Sequence, residues 1–134
     1  MVNVQMGSFL IFNNSWRVYS NEPSQLFRKG INQDADALEK AMKKMGFNVL
    51  IYNNKETQEI KTTIAEYSKS KYHSYSNAFG LAFLSHGDEN GNLKTLDGNI
   101  SIEEIIKPFI KTKDLMGKPK LFFFEGNDMF LFNI

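Results

Sequence analysis

The chain has no cysteine among its 134 residues. That excludes disulfides, thiolate metal sites and a thiol nucleophile together. No sign of charge dominates either, because 16 lysines and arginines face 15 acidic residues for a net +1. A nucleic-acid surface needs a concentrated basic footprint, and here the lysines scatter along the faces of expected helices, as solvated surface does. No apolar run approaches the roughly 18 residues that a membrane-spanning helix requires. The short patch Ser8–Phe12 has no basic segment before it and no cleavage signal after it, so no secretory peptide is expected. The absences point to one soluble cytoplasmic domain spanning residues 1–134, with neither membrane nor nucleic acid as partner. No metal or cofactor is expected: the acidic turn at Asp88 and Glu89 has no further oxygen ligands in order after it.

What is present is a repeated alternation. Four short apolar runs read as strands: Phe9–Phe12, Phe47–Tyr52, Phe79–Leu84 and Lys120–Phe124. Asn13-Asn14 and Asn53-Asn54 stop the first two. Between them lie helical stripes. Ala35, Leu38, Ala41, Met42 and Met45 follow Asp34 as N-cap and end at Gly46, while residues 13–33 read as a polar loop that holds Arg17 and Arg28. Thr57 reads as the cap of a second helix through about Ser70, with Ile60, Ile64 and Tyr67 inward. Ser101 and Glu104 form a capping-box pattern for a third, in which Pro108 is expected to bend or end the helix. Turn signals around Asn92–Leu96 suggest a small hairpin, and His73 in its polar joint reads as an ordinary surface histidine. Strands alternating with helices imply an α/β fold with an open, mostly parallel sheet, flanking helices and strand order 2-1-3-4. The central run, buried on both faces, breaks at Ser85-His86-Gly87, where open α/β sheets place their ligands.

Several segments together resemble the large subunit of a caspase. They are Leu10–Asn14, Arg28 with Gly30 and Asp34, Leu84-Ser85-His86-Gly87, and Gly117-Lys118-Pro119-Lys120-Leu121-Phe122-Phe123. The resemblance runs from about Phe9 to Glu125 in matching order and implies a caspase-like large-subunit half. In that family a cysteine thiolate attacks the peptide carbonyl after aspartate, a histidine manages the protons, and backbone N–H groups hold the oxyanion. By resemblance His86 is the base and acid, Gly87 supplies an oxyanion N–H, and Arg28 grips the substrate aspartate through its guanidinium fork.

The resemblance also shows departures. The family's nucleophile motif follows the fourth strand, and here the aligned residues are Glu125-Gly126-Asn127-Asp128-Met129. Asn127 stands at the cysteine position, and an amide is not a nucleophile. Glu125 stands where a glutamine lines the aspartate pocket; its carboxylate would repel an aspartate or pair with Arg28. Residues 126–134 read as a divergent apolar tail in place of the family's continuation into a small subunit, leaving the fourth strand as an exposed sheet edge. Three readings follow. The chain is an inactive caspase-like protein that binds an active caspase, an adaptor or itself through that edge. Alternatively it is a truncated isoform of an active aspartate-directed cysteine endopeptidase. Setting resemblance aside, it is a flavodoxin-like or receiver-like module, which the missing Gly-rich loop disfavours.

Overall fold

A computed structural model describes residues 6–14, 25–85, 91–125 and 129–133, with the side chains of 25–34 and 129–133 outside the description. Strands β1 (Gly7–Asn13), β2 (Phe47–Asn53), β3 (Phe79–Leu84), β6 (Lys120–Glu125) and β7 (Met129–Asn133) form one sheet in the order β2-β1-β3-β6-β7. The first four pair in parallel, and β7 turns back antiparallel onto β6. A separate two-stranded hairpin joins β4 (Leu93–Lys94) to β5 (Asn99–Ile100). Helices α1 (Gln25–Lys44), α2 (Thr57–Ser68) and α3 (Ile102–Ile110) complete the chain, with single 3-10 turns at Lys71–Tyr75 and Lys113–Leu115.

Side chains alternate across a strand, so each apolar run feeds two cores. Leu10, Phe12, Phe79, Leu81, Phe83, Phe122 and Phe124 pack on one face with Ile60 and Ile64 of α2 and Ile105 and Phe109 of α3. Phe9, Ile11, Ala82 and Leu84 pack on the other with Ala35 and Met42 of α1. Burying each phenylalanine contributes about 1.5–3 kcal/mol, and the rings also stack: Phe79 lies 4.2 Å from Phe109, centroid to centroid. Gly80 is obligatory for a steric reason, since a Cβ there would run into the ring of Phe9.

Four expectations need correction. Helix α1 begins at Gln25 rather than after Asp34, so Arg28 and Gly30 lie within a helix and Asp34 is not its cap. Neighbouring turns of α1, where Ala35 and Met42 pack on the sheet, outweigh the poor helix propensity of Gly30 and Asn32. The edge expected at the fourth strand is occupied, because β7 pairs with β6 from Leu121↔Asn133 to Glu125↔Met129. Residues 129–133 of the tail are therefore the fifth strand. Finally, His73 is fully buried. It sits in the 3-10 turn that follows α2, with its ring edge-on to Phe79 at 5.5 Å.

Candidate functional site

The parallel strands end level. Asn53 pairs with Asn13, Asn13 with Leu84, and Leu84 with Glu125, which places four chain exits in one row. Backbone bonds continue the row one step further. The N–H of Asn14 donates to Leu84 O at 2.8 Å, that of Asn54 to Asn13 O at 3.0 Å, and that of Ser85 to Glu125 O at 2.9 Å. The last bond holds the residue before His86 in sequence against the residue two before Asn127. His86, Gly87 and Asn127 themselves lie outside the described residues. Glu125 is half-buried at the end of β6, and Arg28 lies on the second turn of α1 with its side chain outside the description.

The rim beside those exits is held by side chains that local sequence patterns do not reveal. Asn14 is fully buried. Its amide donates to Lys55 O at 3.0 Å and its carbonyl accepts from Lys55 N–H at 3.1 Å, so one side chain imitates a strand's backbone. Lys55 O also accepts from Leu96 N–H at 3.2 Å, which ties the β4–β5 turn to the end of β2. Asp97 completes the tie. One of its oxygens accepts from the N–H and the hydroxyl of Thr57, both at 2.8 Å, and from the Thr95 hydroxyl at 3.3 Å. Thr57 was expected to cap α2, but it is the first helical residue and the capping carboxylate comes from Asp97 of the hairpin. An anion at a helix N-terminus meets unpaired N–H groups and the positive end of the helix dipole. These hydrogen bonds, the backbone N–H of Thr57 first, hold the Asp97 carboxyl below its ordinary pKa.

The opposite rim is dry. His73 Nε2 donates to Tyr67 O at 2.8 Å, which leaves Nδ1 unprotonated and, among the described residues, without a partner. Burial lowers the His73 pKa, since a second ring proton would have no acceptor, although the carbonyl of Tyr67 and the charge of Asp114 oppose the shift. The Gly117–Lys120 segment then serves structure. Lys118 Nζ donates to His73 O at 2.7 Å, and buried Lys120 Nζ donates to the carbonyls of Leu115 at 3.0 Å and Lys118 at 2.9 Å. Desolvation lowers the Lys120 pKa. Among the described residues no group of three or more histidine, cysteine or acidic side chains could hold a metal ion, and no helix is long and apolar enough to cross a membrane.

Comparison with known proteins agrees with this geometry. The sequence profile described as Caspase domain matches residues 7–126. The chain is 32% identical to chicken (Gallus gallus) Caspase-7 over 124 residues, covering 91% of this chain and 39% of that protein. It is 35% identical to Caspase drICE of Drosophila melanogaster over 122 residues, covering 90% and 34% respectively. The crystal structure of Caspase-1 from Spodoptera frugiperda superposes with a TM-score of 0.78 at 31% identity, covering 90% of this chain and 47% of that one. The chain thus spans less than half the length of each of these three relatives.

Proposed function

The chain belongs to the caspase family, and from that premise we propose that it is a catalytically inactive member that modulates caspase signalling in the cytoplasm by binding an active caspase or its adaptor. One observation carries the reading. The scaffold that brings the exits of β3 and β6 together is intact, yet the 134 residues contain no thiol to place there. His86 would be left as a base without a nucleophile, Gly87 as an oxyanion donor without an oxyanion, and Asn127 as an inert amide. Glu125 would disfavour an aspartate in the pocket that Arg28 serves in the family. An aspartyl-aldehyde probe is therefore expected not to dock.

The test uses purified chain with an active caspase and a fluorogenic peptide ending in aspartate. The chain alone should release no product, and it should associate with the active enzyme and change its rate. Absence of both association and rate change over a wide concentration range would sink the reading.

A second reading rests on residue 126, where the family match ends. Residues 126–134 would then replace the family's own sequence in an alternative product of a gene for an active aspartate-directed endopeptidase. Sequencing the transcript and locus beyond the Glu125 codon separates the two. An alternative exon with a cysteine motif supports the second reading, and its absence returns the first.

A further inference from the structure

Five of the lysines, Lys61, Lys69, Lys107, Lys111 and Lys113, line one stretch of surface. Helices α2 and α3 run side by side in the same direction: Lys61 Nζ pairs with Glu104 at 3.4 Å near their starts, and the Thr112 hydroxyl donates to Ser68 O at 2.8 Å near their ends. Two hollows of about 400 and 460 Å³ follow one another along the seam and share Pro108 and Lys111. Ile64, Ala65 and Pro108 give the seam an apolar floor. Pro108 also lacks an N–H, so the Glu104 carbonyl loses its usual helix donor. Around this floor stand Lys61, Lys69, Lys107, Lys111 and Lys113, against only Glu104 and Asp114. The groove is thus more positive than the whole chain, whose net charge is +1. Attraction of cations to helix C-termini accounts for Lys69 and Lys111. It does not account for Lys61 in the second turn of α2 or for Lys113 beyond α3. Among the described residues, Lys69, Lys107, Lys111 and Lys113 have no carboxylate within ion-pair distance.

We propose that the α2–α3 groove is a docking surface for an acidic amphipathic peptide segment of a partner protein, whose apolar face meets Ile64, Ala65 and Pro108 while its carboxylates meet the lysine rim. A helix of nine to twelve residues is roughly 14–18 Å long, which accommodates three turns of a docked helix. The concave shape selects an inserted ridge over a flat bilayer. Nucleic acid would need aromatic stacking platforms, and no aromatic side chain lines either hollow. The surface acts without any peptidase chemistry, so it stands independently of the function proposed above.

The test titrates the full 15N-labelled chain with a 16-residue peptide carrying leucines at i, i+3, i+4 and i+7 and glutamates on the flanks. Saturable binding below about 1 mM is expected, with amide shifts confined to α2, α3 and the turn after α3. Lys107→Glu with Lys111→Glu should weaken it by roughly tenfold, and added salt should weaken it further. Both sites are exposed, so the double variant should stay folded, its thermal midpoint lowered by no more than the few degrees that opposing the helix dipole at the end of α3 costs. Failure of the peptide to bind, or binding indifferent to the double variant, overturns the proposal. So does tighter, Lys107- and Lys111-dependent binding of phosphatidylserine vesicles or poly-uridine RNA.

Discussion

The two rims of the sheet meet the same demand by opposite means. Each must satisfy backbone groups that strands and helix ends leave unpaired. On the rim of chain exits, the amide of Asn14 and the carboxylate of Asp97 reach across the fold to Lys55 and Thr57, and Asp97 stays in water. On the other rim, the buried Lys120 ammonium and the neutral His73 ring serve carbonyls in a dry interior. The difference teaches where the molecule tolerates change. A solvated device lost can be replaced by water, whereas a dry one cannot.

The largest effect should follow from breaking the dry rim. Lys120→Ala removes the ammonium bonds to the carbonyls of Leu115 and Lys118, of which Leu115 O keeps only the Lys118 N–H at 3.1 Å, and should cost about 1–3 kcal/mol in urea unfolding. On the rim of chain exits Asn14 is itself buried, but the Lys55 backbone it would abandon is half-exposed and Lys55 O keeps the Leu96 N–H, so a smaller loss of about 1 kcal/mol is expected from Asn14→Ala. Equal losses at the two sites would erase the contrast.

Acid should distinguish the rims next. The folded His73 pKa lies below its ordinary 6.5, so the unfolded chain binds the proton first. Its contribution is fully present above 6.5 and is lost as pH falls through the folded pKa. Unfolding midpoints taken from pH 7.5 downwards should therefore decline in that window, and His73→Gln should flatten the decline. Asp97, also depressed, loses its contribution only as pH falls below 3.8 and through its folded pKa. The smallest effect belongs to Asp97→Asn, which should hasten hydrogen exchange at the Thr57 amide while leaving global stability nearly unchanged.

What could be read in advance follows the reach of each interaction. Strands β1 and β3 were legible because burial on both faces leaves unbroken apolar runs, and the capping box of Ser101 and Glu104 because both partners lie within one turn. Asn14 with Lys55 and Asp97 with Thr57 were not, since their partners lie 41 and 40 residues away. The burial of His73 was hidden by its polar neighbours, since the apolar partner Phe79 belongs to the next strand. The return of β7 did have a signal. Gly126-Asn127-Asp128 between two apolar runs has the composition of a hairpin connection. At the candidate site, the meeting of the two chain exits was legible from strand alternation alone, but the rim that braces them was not.

The position of β3 in the middle of the sheet has a consequence during synthesis. Its six apolar residues are complete by Leu84, while the strand that covers its second edge ends only at Glu125. A growing chain emerges from the ribosome with β1 already available on one side of β3 and nothing of its own yet made for the other. Slow codons between residues 85 and 120 would prolong that interval, and holdase chaperones that cover apolar strands would shorten its risk. The yield of folded chain should thus depend on translation rate more than its finished sheet would indicate.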